Sequence, residues 1–139
     1  MNVLGSVLQR VATGKHIDVS NHGDTICSLH SDDSGSCITL YQCNEKQLVK
    51  TKSFLSPNLG FDYNSIALGR NVIYVADSYE MYIYTLSMNG RLLGTHDITG
   101  HGDAGELWNP RTAATDGDDN LLVCDGANCR LQVMTPDGK

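Results

Sequence analysis

The sequence is poor in most features that mark an enzyme, a membrane span or a secreted scaffold. Only 19% of its 139 residues are charged and 6% are aromatic, with a single tryptophan and three prolines. That mixture suits short strands and tight turns better than long surface helices. No apolar stretch approaches the roughly 20 residues that cross a bilayer as a helix. Near the start, Val3, Leu4, Val7 and Leu8 are cut short by Gln9 and Arg10, so no signal peptide is expected. The cysteine count is odd: Cys27, Cys37, Cys43, Cys124 and Cys129. Such a set does not read as a secreted disulfide framework, and a reducing, cytoplasmic setting with no membrane contact is the expectation. A formal charge of −6 lacks the Lys and Arg excess that neutralises phosphates, which disfavours RNA as a partner. No Gly-x-Ser-x-Gly elbow or phosphate loop occurs, so nucleophilic and nucleotide chemistry have no support.

What is present is repetition. Val72-Ile73-Tyr74-Val75-Ala76-Asp77 and Asn120-Leu121-Leu122-Val123-Cys124-Asp125 are both apolar runs ending in Val-small-Asp. Each continues without gaps to a turn dipeptide and a basic residue, Asn89-Gly90-Arg91 and Asp137-Gly138-Lys139. Asn-Gly and Asp-Gly are strong hairpin signals because both residues tolerate positive φ. A fainter upstream copy aligns Asp32 with Asp77 and Ile38 with Ile83. A period in the forties with several strands per unit fits propeller blades. Expected strands are Ser65 to Leu68, the run ending at Asp77, Met81 to Ser87 and Arg91 to Asp97. Third-copy counterparts run from Thr112 to Thr115, to Asp125, and from Cys129 to Thr135. Leu48 to Phe54 is the outer strand of the first unit.

These motifs carry a resemblance. Gly105-Glu106-Leu107-Trp108-Asn109-Pro110 resembles the Gly-x-Phe-x-x-Pro lead-in of NHL repeats. Val123 to Val133 resembles that family's Val-Ala-Asp-x-x-Asn-x-Arg-Ile-x-Val core, with Asp125, Asn128 and Arg130 in register. The second copy keeps Val75-Ala76-Asp77 but has Glu80 and Tyr82 for the Asn and Arg; the first keeps mainly Asp32. The resemblance implies an all-β fold of four-stranded antiparallel propeller blades, about three in this chain: 14–55, 60–100 and 105–139. Residues 1–13 are expected to form a strand completing a blade. Three blades are half of the family's usual ring. A homodimer closing to six blades is therefore expected, with Val3 to Val11 of each chain completing the other's last blade.

Candidate chemistry is sparse. Asp32, Asp77 and Asp125 recur once per unit, as do strand-end carboxylates that accept turn N–H groups; with Asn128 and Arg130 they read as structural repeat positions. Asp116-Gly117-Asp118-Asp119-Asn120 has the composition of a calcium loop but not the required later Glu or flanking helices, so a hairpin turn is expected. His96, His101 and Asp103 lack the ligand set of a zinc site. Cys124 aligns with Ala76 in a small buried slot, and Cys129 aligns with Met81. Neither catalytic residues nor metal ligands nor a cofactor are assigned. The resemblance implies protein or RNA recognition on a propeller face and not catalysis, and the half ring adds self-assembly and scaffolding; Tyr63, Asn64, Arg70, Trp108, Asn109 and Arg111 are the candidates on that face. An RNA-binding propeller and a metal-dependent, lactonase-like hydrolase are the alternatives.

Overall fold

The computed structural model describes residues 16–32, 35–45, 47–55, 63–97 and 109–135; at 16–21, 31, 32, 63, 64 and 97 it describes backbone alone. The expected strand at 1–13, Trp108, His101, Asp103 and the Asp137-Gly138 turn lie outside these residues. Among the described residues the chain is all-β, and no helix is long and apolar enough to cross a membrane.

Among the described residues, eleven strands form three antiparallel sheets, each taken in sequence order. The first contains β1 (His16–His22), β2 (Thr25–Asp32), β3 (Gly35–Cys43) and β4 (Leu48–Leu55). The second contains β5 (Tyr63–Leu68), β6 (Val72–Asp77), β7 (Tyr82–Ser87) and β8 (Leu92–Asp97). The third contains β9 (Pro110–Thr115), β10 (Leu121–Asp125) and β11 (Arg130–Met134).

Alternation along a strand sends successive side chains to opposite faces, and here it decides which sheets touch. From β6, Ile73 and Val75 pack with Cys27, Leu29, Ile38 and Leu40 of the first sheet. Tyr74 and Ala76, from the same strand, pack with Ala113, Leu121, Val123 and Met134 of the third. The middle sheet is therefore covered on both faces, which is why β6 reads as an unbroken apolar run. First strands adjoin across the stack, β1 beside β5 and β5 beside β9. Side chains bond that seam: the Ala113 N–H donates to Ser65 Oγ at 3.1 Å, and Thr115 Oγ1 donates to the Leu68 carbonyl at 2.7 Å.

Farther from the seam, the β7–β8 turn meets β4. Gly90 has φ +81°, as its Asn-Gly signal requires, and lies under Phe54 so closely that a Cβ there would stand 2.4 Å from the ring. Lys52 Nζ donates to Asn89 Oδ1 beside it. Gly90→Ala should therefore combine positive-φ strain, about 1–2 kcal/mol, with displacement of Phe54. Gly117→Ala, which meets nothing within 4 Å, serves as control. Urea midpoints should fall clearly for the first and hardly move for the second.

Candidate functional site

The second-to-third-strand turns carry the repeated carboxylates, and the two clear copies are satisfied differently. Asp77 is fully buried and its Oδ1 accepts the Tyr79 and Glu80 N–H groups, both at 2.9 Å, which closes an Asx-type turn. Asp125, equally buried, receives three side-chain donors on Oδ2: Asn128 Nδ2 at 2.7 Å, Arg130 Nε at 3.2 Å and Gln132 Nε2 at 3.2 Å. The residues at those places in the second copy are Glu80, Tyr82 and Tyr84, and Asp77 Oδ2 is buried without a hydrogen-bond partner. Tyr82 and Tyr84 instead pair their rings at 5.9 Å. The Tyr84 phenol is pushed above its ordinary pKa, first by burial and then by the charges of Asp77 and Glu80. Both turns end on a non-glycine residue at positive φ, Met81 and Cys129, which confirms that these two positions correspond.

The first sheet departs from the register read in the sequence. Its first hairpin pairs His22 with Thr25, and the matching turn in the second sheet pairs Gly69 with Val72. Counted from there, the place of Asp77 falls on His30, not Asp32. Asp32 sits two residues farther out, paired with Gly35, because the β2–β3 hairpin extends beyond the point where β6 gives way to its turn. The alignment of Ile38 with Ile83 survives, since Leu29↔Ile38 corresponds to Ala76↔Ile83. A shift of two keeps every side chain on its expected face.

The residues expected on a recognition face divide between the two ends of the strands. Tyr63 and Asn64 begin β5, and Asn109 and Arg111 flank the start of β9. Asn64 and Arg111 are the extra residues of bulges at the same place in two sheets, where β5 meets Asp77 and β9 meets Asp125. Arg111 is exposed and lies along Gly126, whose N–H donates to the Asn109 carbonyl at 3.1 Å. Arg70 follows the other end of β5, a strand length from Tyr63. There its backbone N–H donates to Asp119 Oδ1 at 2.9 Å, and its Nε stands 3.7 Å from Oδ2. His22 Nε2 stands 3.8 Å from the same carboxylate. Asp119 thus links first-hairpin turns of all three sheets, a contact that no local sequence signal announced.

The neighbouring turn is a hydrogen-bonded hairpin. Asp116 accepts the Asp118 and Asn120 N–H groups and the Asn120 amide. These bonds, the Asn120 amide foremost, hold the Asp116 carboxyl below the usual carboxylate range. Among the described residues no group of three or more His, Cys, Asp or Glu side chains could hold a metal ion.

The outer face of the third sheet differs in kind. Leu131 is 61% and Val133 58% exposed, with exposed Thr112, Ala114 and Cys124 and half-buried Leu122 beside them. Corresponding positions in the second sheet are Ile83, Thr85, Ser65, Ala67, Ala76 and Tyr74, and Ile83, Ser65, Ala67, Ala76 and Tyr74 are buried under the third sheet. Cys124 therefore occupies the place of Ala76, as its alignment indicated, but is exposed rather than buried. A slot is closed only by the neighbour that covers it.

Two predictions follow from these environments. Replacing Glu80 and Tyr82 by the Asn and Arg of the third copy gives Asp77 Oδ2 an amide and a guanidinium donor, hydrogen bonds to a carboxylate worth about 1.5–3 kcal/mol. The lost ring pair is worth about 0.5–1.5 kcal/mol. The double variant should therefore raise the urea midpoint, whereas Arg130→Ala should lower it. Burial pushes the Cys27 thiol up to about 12, so almost none is thiolate at pH 8. Iodoacetamide at that pH and at dilute protein should modify exposed Cys43, Cys124 and Cys129 and reach Cys27 only after unfolding, as peptide mass spectrometry would report. Compared with known proteins, the chain matches no protein-family model and no curated protein.

Proposed function

We propose that this chain is a segment of an NHL-type β-propeller that acts by non-covalent association, taking a further β-sheet on the open side of its third sheet, and not by catalysis. The observation that carries the reading is the contrast between two equivalent faces. On the second sheet, Tyr74, Ala76 and Ile83 form a made interface; on the third, Leu122, Cys124 and Leu131 present the same register uncovered. An apolar patch of this sort on a chain with a net charge of −6 marks an interaction surface more readily than a solvated face.

Three further features support the propeller reading. Every sheet runs strictly in sequence order, the first strands adjoin along one seam, and the Val-x-Asp turn recurs in two sheets. The role proposed is self-assembly and scaffolding, with a homodimer as the simplest product. Covering Leu131 and Val133 alone stabilises such a contact by about 2–4 kcal/mol, taking roughly 1.5–3 kcal/mol for full burial of each side chain.

Sedimentation velocity and light scattering over a range of protein concentrations test the proposal. The native chain should show concentration-dependent association. Leu131→Glu with Val133→Glu should stay monomeric with an unchanged circular dichroism spectrum, because neither side chain belongs to the folded core. A native chain that remains monomeric throughout would overturn the reading.

A further inference from the structure

The association proposed above leaves open what covers the third sheet, and the two lateral faces of the stack answer differently. A ring closed by two copies would lay the partner's first sheet on it. Where the second and third sheets present Val75 and Val123 towards their preceding neighbour, the first sheet presents Ser28, flanked by His30 and Thr39. Ser28 and Thr39 are already buried, and Ser28 Oγ has no hydrogen-bond partner. Cys37 on the same face contacts Ser53 Oγ at 3.2 Å, and Thr39 bonds that hydroxyl at 2.9 Å. With Tyr41 on it buried as well, this face is already closed within the chain apart from Leu55 on its edge strand, and it offers Leu131 and Val133 little open surface to cover.

The third-sheet face is by contrast complementary to itself. Thr112, Ala114, Leu122, Cys124, Leu131 and Val133 include no charged side chain, while Arg130 and Gln132 turn to the opposite face, towards Asp125. Two chains that repel through their net charge of −6 can therefore meet here without placing like charges opposite each other. Small residues on the first strand, Thr112 and Ala114, permit close approach, and larger aliphatic ones on β10 and β11 supply area to bury. Aligned packing of two sheets through such faces, about 10 Å apart, is a standard arrangement.

We infer that the chain pairs about a two-fold axis, the third sheet of one copy lying face to face on the third sheet of another. The inference rests on the association proposed above and specifies its partner surface. It makes the contact isologous, with the same patch on both sides, and so limits assembly to a dimer.

Cysteine labelling separates the cases, because Cys124 lies on the third-sheet face and Cys37 on the outer face of the first. The full chain is treated with N-ethylmaleimide at dilute and concentrated protein, and each site is followed by peptide mass spectrometry. Two-fold pairing predicts that Cys124 labels at least tenfold more slowly when concentrated while Cys37 keeps its rate, and that His30→Glu leaves the dimer unchanged. Slowing at both cysteines, with assembly lost in His30→Glu, would mean head-to-tail contact and overturn the two-fold inference but not association. An associating chain with Cys124 unprotected overturns it as well. No association at any concentration removes the underlying reading instead.

Discussion

Everything in this molecule depends on a β-sheet being sealed on both sides. The second sheet meets that condition: Ile73 and Val75 press against the first sheet, and Tyr74 and Ala76 press against the third. Neither neighbour is optional, because removing one would expose a continuous apolar wall. The third sheet is built to nearly the same pattern and has one wall covered. Its other wall carries Leu131 and Val133 exposed, so the two walls of one sheet differ in kind.

The buried carboxylates show how far repetition can drift while the fold is kept. Asp125 gathers a guanidinium and two amides, whereas Asp77 keeps only the backbone half of the arrangement. The first sheet has dispensed with the carboxylate, and His30 stands in its place. A buried acceptor lacking its donors costs about 1–3 kcal/mol, which a stack with extensive apolar contact can tolerate at one or two positions. These turns thus act as structural fasteners of graded strength.

Much of this was legible in the residues. Period-two alternation and the Asn-Gly signal located β6, β7 and β8 within a residue or so, and gapless correspondence with the third unit located β10 and β11. Glu80 and Tyr82 stood out as departures, and the unpaired oxygen of Asp77 is their physical result. The first unit was harder to read because its hairpin is longer, so an alignment anchored on Asp32 was right for β3 and two residues wrong for β2. Cys124 is exposed where its strand position predicts a buried slot, because burial there depends on the surroundings of the third sheet and not on its own strand. The link from Asp119 to Arg70 and His22 joins positions far apart in the chain, and nothing local encodes it.

Strict sequence order within and between the sheets has a kinetic implication. Within each sheet a strand bonds only to its neighbours in sequence, so closing a hairpin never requires a distant segment to be found first. Such chains behave as nearly one-dimensional arrays, in which structure nucleates in one unit and spreads to the next. Cooperativity then passes through the double-sided middle sheet, which among the described residues contacts both others through packed apolar walls. It would act as the relay by which the first and third sheets sense each other's order.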